Sequence, residues 1–340
     1  MANVPHDSWE TVRWNVEGVT QAEPIKVGVV GLGYFGSHHA RHYAAHPGAH
    51  LVAVADVDAG RACKASEAYG AEAFASHRDL IGRVDAASIT VPTSMQHQVA
   101  SELIDAGIDL FVEKPIAADV PAATDLVARA AQRGTRLQVG HIERYAPAFR
   151  ALRDRVGAPR LIECARRASW SGRALDVDVV LDLMIHDIDL VLTLARAPVA
   201  SVAASGVSVV TQRNDVVEAR VTFDNGIVAT LAASRVAPAA ERSIAVTESG
   251  RRLVANLAAP ELTILTAEGG TVAAERIVLP ASDNLAAEID AFLVSVRTRT
   301  PPPVDGRAGL DALKLAEAIL AAIAAGQDRR VISAHGVESR

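Results

Sequence analysis

The sequence predicts an α/β protein in two parts, a doubly wound parallel sheet followed by an antiparallel or mixed sheet. Three observations carry that expectation. Apolar runs alternate with helical segments between Ile25 and Gly140, the order that a parallel sheet covered on both faces requires. A glycine-rich turn joins the first run to the first helix. After Gly140 the strand-like stretches follow one another directly, which favours hairpins over crossovers.

The elements are expected in this order. Ile25–Val30 is an apolar strand ending in glycines, and a helix follows from Tyr34 to about His46. Leu51–Ala55 is the second strand and Gly60–Tyr69 the second helix. Ala86–Val91, Leu110–Val112 and Arg136–Val139 are further strands, separated by helices at about Met95–Ala106 and Val120–Arg133. Right-handed crossovers then wind the sheet in both directions. In the second half a helix at about Val179–Ala195 precedes the strands Val199–Val210, Val216–Phe223, Ile227–Arg235, Ser243–Thr247, Arg252–Asn256 and Leu262–Thr266. Asp224-Asn225-Gly226 marks a hairpin, because Asn-Gly accepts positive φ at little cost. Helices at Leu285–Thr298 and Gly309–Ala325 close the chain, separated by Pro301-Pro302-Pro303. The domains expected are a dinucleotide-binding unit over 23–140 and a substrate-binding unit over 141–330, with an N-terminal extension over 1–22 and a tail over 331–340.

Composition narrows the function classes. The chain has 340 residues, half of them hydrophobic, with a net charge of −6 and no basic block. Neither nucleic acid nor a membrane surface is expected as a partner. No apolar run approaches the ~20 residues of a membrane span. The first 22 residues hold Trp9 and Trp14 but no apolar core, so they read as a loose extension, not a secretion signal. Cys63 and Cys164 match no metal or redox spacing and are expected as free thiols in a reducing cytoplasm.

Gly31-Leu32-Gly33-Tyr34-Phe35-Gly36 lies between the first strand and the first helix. Glycines there permit a tight turn, approach of a pyrophosphate and close helix packing, while the helix N-terminus offers free N–H groups. Asp56 follows the second strand, twenty residues after Gly36. A carboxylate in that place binds adenosine ribose hydroxyls and repels a 2′-phosphate, so NAD is favoured over NADP. Arg61 keeps NADP open, as does the plainer reading of Asp56 as a turn residue or helix cap. Val91-Pro92-Thr93 ends the strand that starts at Ala86 and is open to two readings, a wall for the nicotinamide or a simple strand stop; His97 is equally open. His38, His42 and His46 share a face of the first helix, but no carboxylate or cysteine completes a metal set.

Two segments carry candidate chemistry. Leu110-Phe111-Val112-Glu113-Lys114-Pro115 places a charged pair at the carboxyl end of a strand, where open α/β sheets hold their ligands. A strand-end salt bridge is the structural alternative for Lys114. In Asp182-Leu183-Met184-Ile185-His186-Asp187-Ile188-Asp189, a regular helix would set Asp182 one turn from His186, with Asp189 joining that face. Histidine as general base oriented by a carboxylate is one reading; a metal site or a salt-linked surface face are the others.

Together, Gly31–Gly36, Val91-Pro92-Thr93, Glu113-Lys114-Pro115 and Asp182-x-x-x-His186 resemble the glucose–fructose oxidoreductase / inositol dehydrogenase (Gfo/Idh/MocA) family, over about Ile25 to Ala325. The resemblance implies a Rossmann domain, then an α/β domain whose large open, mostly antiparallel sheet often forms homodimers or homotetramers. It implies oxidation or reduction of a sugar or cyclitol hydroxyl with a nicotinamide cofactor, with Lys114 and His186 catalytic and Asp182 assisting. It further implies cofactor contacts at Gly31, Gly33, Tyr34, Phe35, Gly36, Asp56, Pro92, Thr93, His97, Glu113 and Lys114. His141-Ile142-Glu143-Arg144-Tyr145-Ala146-Pro147 is similar to the branch that contains UDP-N-acetylglucosamine 3-dehydrogenases, which serve 3-amino sugar and lipid A-type biosynthesis. A nucleotide-sugar diphosphate needs cations, and Arg144, Arg166, Arg167 and Arg173 flank the expected cleft in sequence. The resemblance adds His141, Glu143, Arg144, Arg166 and Arg173 to Lys114, Asp182 and His186 as expected substrate contacts, while arginines on a strand and loop are also open to solvation or to pairing with the abundant acids. Tyr145 and Trp170 are open to stacking on uracil or to packing. A free sugar or cyclitol dehydrogenase and a non-catalytic NAD-binding regulator are the alternatives; intact Lys114, Asp182 and His186 argue against the regulator.

Overall fold

The computed structural model describes residues 23–172, 175 and 177–334, with only the backbone beyond 326. The N-terminal extension, Arg173 and the end of the tail lie outside the described residues. In the first half, β1 (Ile25–Val30), α1 (Tyr34–Ala45), β2 (Ala49–Ala55), α2 (Ala59–Tyr69), β3 (Glu72–Phe74), β4 (Ala86–Ile89), α3 (Thr93–Asp105), β5 (Asp109–Glu113), α4 (Val120–Arg133) and β6 (Leu137–Gly140) follow in turn. The six strands form one parallel sheet in the order β3-β2-β1-β4-β5-β6. Chain direction across the sheet reverses between β1 and β4, which opens a crevice above their carboxyl ends.

The second half begins with α5 (Pro147–Arg153) and β7 (Leu161–Arg167). A π-helical turn over Val180–Met184 then leads into α6 (Ile185–Ala195). After it come β8 (Val199–Val207), β9 (Val216–Phe223), β10 (Val228–Ser234), β11 (Glu241–Glu248), β12 (Arg251–Asn256), β13 (Glu261–Glu268) and β14 (Thr271–Val278). They form an eight-stranded sheet ordered β14-β13-β12-β11-β7-β10-β9-β8, antiparallel except where β7 meets β10. The expected hairpin at Asp224-Asn225-Gly226 joins β9 to β10, with Gly226 at φ 82°. Like β3 in the first half, two strands of this half fall outside the expected set, and for physical reasons. β14 is exposed along nearly its whole length, so it carries no alternation. β7 turns Ile162, Cys164 and Arg166 inward, and the arginine breaks the apolar pattern.

The last two helices, α7 (Asn284–Thr298) and α8 (Gly306–Ala334), tie the halves together. α7 returns to the first sheet: Ile289, Phe292, Leu293 and Val296 join the core of β1, β2 and α1. Phe292 meets Phe111 of β5 edge-on, with ring centroids 5.8 Å apart. His42 and His46 face α7, 3.4 Å from Asp283 and 3.2 Å from Asp290. α8 straddles both cores, with Leu310 and Leu313 in the first and Leu315, Ala316, Ile319 and Ile323 in the second. The packing around the first sheet therefore includes residues far beyond Gly140. Phe292→Ala should lower unfolding free energy by about 3–5 kcal/mol, read by denaturant melting, and should weaken NAD binding with it.

Candidate active site

The glycines of the first turn do three different things. Gly31 has φ 87°, and a Cβ there would lie 2.9 Å from the backbone of Thr90 and Val91. At Gly36 a Cβ would fall 1.8 Å from the Gly31 carbonyl oxygen, so only glycine lets α1 start this close to the turn. Gly33 has nothing within 4 Å of a built Cβ. No protein neighbour demands glycine there, and no side chain caps the α1 N-terminus beside it. Both features fit a dinucleotide phosphate approaching the backbone from outside. The Asp56 carboxylate anchors the turn: Leu32 N–H donates to Oδ2 at 2.6 Å and Asp58 N–H to Oδ1 at 2.8 Å. About four acceptor positions on a carboxylate leave room for ribose hydroxyls. Arg61 reaches both Asp56, at 3.2 Å, and Asp58, at 3.5 Å. Thr90 Oγ1 donates to the Gly31 carbonyl at 2.5 Å and ties the ends of β1 and β4 together. Pro92 and Thr93 open α3 at the same crevice, and Tyr34 and Phe35 lie exposed at the start of α1. His97 turns elsewhere, to Asp125 of α4 at 2.8 Å.

Glu113 ends β5 and is held from several sides. Its Oε1 lies 3.0 Å from His39 Nε2, and His39 Nδ1 lies 3.0 Å from Ser88 Oγ. Gln96 Nε2 donates to the Glu113 carbonyl at 3.0 Å. A Cβ at Gly140 of β6 would come within 2.9 Å of the Glu113 carboxylate, so glycine makes room for it. Lys114 follows directly, with a cis peptide to Pro115. Its Nζ donates to the Asp182 backbone carbonyl at 2.7 Å and lies 3.9 Å from the Asp182 carboxylate. Burial pulls the Lys114 pKa down, while the Asp182 and Glu113 carboxylates oppose that shift.

His186 lies just past the π turn, in which Ile185 N–H bonds to Val180 O, five residues back. The wider turn breaks the alignment that an i, i+4 pair has on a regular helix. As a result Asp182 does not orient His186, contrary to the sequence expectation: no hydrogen bond links them among the described residues. The Asp182 carboxylate sits between two cations instead, 3.9 Å from Lys114 Nζ and 3.9 Å from Arg235 Nη2. His186 Nδ1 is buried with no hydrogen-bond partner. Burial, then Lys114, Arg166, His141 and Arg242, push its pKa well below 6.5, so the ring is a neutral base at physiological pH. His141 is buried beside this centre, with neither ring nitrogen hydrogen-bonded.

Two of the expected substrate arginines, Arg144 and Arg166, are spent on α6. Arg144 Nε and Nη2 donate to the two oxygens of Asp189 at 2.7 and 2.6 Å, and Nη1 donates to the Pro303 carbonyl at 3.1 Å. Arg166 Nε and Nη2 donate to Asp187 at 3.1 and 2.7 Å, and Nη1 donates to Glu143 at 2.6 Å. Asp187, Asp189, Glu143 and Arg166 are all buried. Every guanidinium nitrogen of Arg144 and Arg166 already donates to a protein acceptor, and Glu143 Oε1 accepts from Arg166, so the structure places these three expected substrate ligands in a protein clamp instead. Asp189 likewise belongs to this clamp and not to the His186 face. Arg167 points to the opposite face of β7, where it pairs with Glu241. Tyr145 is packed in the core and Trp170 is exposed. Behind the clamp Glu288 of α7 is wholly buried; burial and the nearby Glu113 and Asp189 carboxylates raise its pKa well above the usual range, which favours its neutral form. Sequence reasoning missed Arg235, Arg242 and His39 as part of the site. The signal available for Arg235 was an arginine closing an apolar strand. Among the described residues no cluster of His, Cys, Asp or Glu could hold a metal ion, and no helix is long and apolar enough to cross a membrane.

Comparison with known proteins agrees with this geometry. Residues 25–141 match the oxidoreductase family with an NAD-binding Rossmann fold, GFO/IDH/MocA, and residues 148–254 match the C-terminal domain of the same family. The UDP-N-acetylglucosamine 3-dehydrogenase of Acidithiobacillus ferrooxidans is 38% identical over 308 residues, 88% of this chain and 98% of that protein. A solved structure of that enzyme superposes with a TM-score of 0.85 at 37% identity, covering 89% of this chain and 99% of the other. Myo-inositol dehydrogenase Hyg17 of Streptomyces leeuwenhoekii is 34% identical over 231 residues, 63% of this chain and 71% of that protein.

The clamp has a measurable cost of removal. Arg166→Ala or Arg144→Ala strands buried carboxylates, and each should destabilise the protein by about 3–5 kcal/mol. Arg78→Ala, which breaks an exposed pair with Glu102, should cost far less than either. Urea denaturation of the three variants checks the difference.

Proposed function

The chain belongs to the GFO/IDH/MocA family of NAD-binding oxidoreductases, and from that premise we propose that it oxidises the 3-hydroxyl of UDP-N-acetylglucosamine to a ketone. The observation that carries the substrate is similarity to the 3-dehydrogenase over nearly the whole length of both chains, the substrate-domain sheet included. A cyclitol or free sugar is the second reading. It is favoured by one finding: Arg144 and Arg166, which a diphosphate would have used, are buried in ion pairs. The product would serve 3-amino sugar formation, as in lipid A-type glycolipids, in the cytoplasm. Outward side chains of β9 and β10, such as Glu218, Arg220, Thr230 and Ala232, line a shallow hollow on the sheet. That face supports assembly as a homodimer or homotetramer.

The residues divide the work as follows. Gly31, Gly33, Gly36 and the α1 N-terminus hold the NAD pyrophosphate, Asp56 holds the ribose, and Pro92 and Thr93 border the crevice. NAD, when bound, accepts the hydride that leaves the carbinol carbon. Neutral His186 takes the hydroxyl proton, so the oxygen's electron pair closes the carbonyl as the C–H pair departs. Lys114 has three N–H donors, and the Asp182 carbonyl uses one of them. Another donates to the reacting oxygen and stabilises its developing charge. Asp182 and Glu113 favour the charged form of that lysine against its burial.

NADH formation followed by absorbance with UDP-N-acetylglucosamine, myo-inositol and free hexoses, each with a ketone trap, tests the substrate; turnover of inositol alone would sink it. His186→Ala should cost about 10²–10⁴-fold in kcat, and Lys114→Ala about 10²–10³-fold. Because the folded pKa of His186 is lowered, the base stays unprotonated as pH falls through 6.5. The acid limb of kcat/KM should therefore lie below pH 6.5, and a limb above that value would contradict a neutral buried base.

A further inference from the structure

The structure assigns Arg242 of β11 to binding the diphosphate of the nucleotide-sugar substrate, an inference that rests on the function proposed above. A diphosphate needs an accessible cation with unspent donors close to His186, and the guanidinium fork matches phosphate oxygens in pairs. Arg166 is buried, and its Nε, Nη1 and Nη2 are all committed to Asp187 and Glu143. Arg144 is committed to Asp189 and Pro303 in the same way. Lys114 is anchored on Asp182 at the reacting centre. Arg242 differs from all three. Its side chain is 56% exposed, and its carboxylate neighbour is Glu143 at 3.8 Å, beyond hydrogen-bond reach. That same Glu143 oxygen already accepts from Arg166 at 2.6 Å.

Strand register aims Arg242 at the site. It stands directly opposite Arg166 across β11 and β7, and directly opposed residues share a sheet face. Glu241 and Arg167, one position along, pair on the other face. Contacts run from Arg242 to Glu143, to Arg166 and to Asp187, the residue after His186. Arg242 is thus the solvent end of an ion chain whose buried end adjoins the base. Its charge is among those that lower the His186 pKa, which fits that placement. The competing role is charge balance alone, with Arg242 offsetting a clamp in which two carboxylates share Arg166.

Full-length Arg242→Ala and Arg242→Lys, with thermal melts as a control on folding, separate the two roles. UDP is titrated calorimetrically against each NAD-loaded protein, and steady-state constants are measured with UDP-N-acetylglucosamine. Arg242→Ala should weaken UDP and raise KM by about ten- to a hundredfold, with kcat nearly unchanged. Arg242→Lys, a cation without the fork, should recover part of the UDP affinity. Unaltered UDP affinity in Arg242→Ala, or a fall in kcat at constant KM, overturns the assignment. Wild-type protein that ignores UDP and its sugar but oxidises inositol overturns the substrate reading beneath it, so the two failures are told apart.

Discussion

Two arginines decide where the proposed base stands. Arg144 grips Asp189 and Arg166 grips Asp187, both on the first turns of α6. Arg144 comes from the turn after β6 and Arg166 from β7, so these pairs pin α6 to both sheets at once. His186 sits one residue before the first of them, and Lys114 reaches from the end of β5 to the backbone of the preceding π turn. A buried ion pair contributes little net stability against an apolar alternative, yet breaking one partner is costly. Such a clamp therefore fixes geometry more than it adds stability, and geometry is what a proton acceptor needs when its own Nδ1 makes no hydrogen bond.

The charge arrangement follows from that placement. Burial first, then the charges of Lys114, Arg166, His141 and Arg242, hold the His186 pKa well below 6.5. Burial pulls the Lys114 pKa down, and the Asp182 and Glu113 carboxylates oppose that pull. In the proposed mechanism the site offers a neutral base and an N–H donor in one desolvated pocket, the pairing that alcohol oxidation requires. Glu288 of α7 lies behind this clamp, close enough for the Asp189 and Arg144 charges to act on its pKa.

Much of this was legible in the chain. The strand–turn–helix context of Gly31–Gly36 pointed to the Rossmann domain that the family match bears out, and the charged end of β5 singled out Lys114 as a candidate. Periodicity located α6 but not the π turn before it, because one extra residue per turn changes no composition. That single insertion turned Asp182 from His186 toward Lys114 and Arg235. The arginines were legible as cations but not as partners. Arg144 and Asp189 are 45 residues apart, and only the fold shows that each has already found its counter-ion. Arg242 was overlooked for the converse reason: on an edge between exposed and buried positions it looks like any surface arginine until Arg166 is seen opposite it.

The central claim is that His186 and Lys114 act on the 3-hydroxyl of a UDP-linked N-acetylhexosamine. The most direct measurement uses UDP-N-acetylglucosamine carrying deuterium at C3 with NAD and a ketone trap, analysed by mass spectrometry of the reduced cofactor. The account predicts deuterium on the nicotinamide and a primary isotope effect on the single-turnover rate. Deuterium retained in the trapped sugar product, or NADH formed without label, would contradict it.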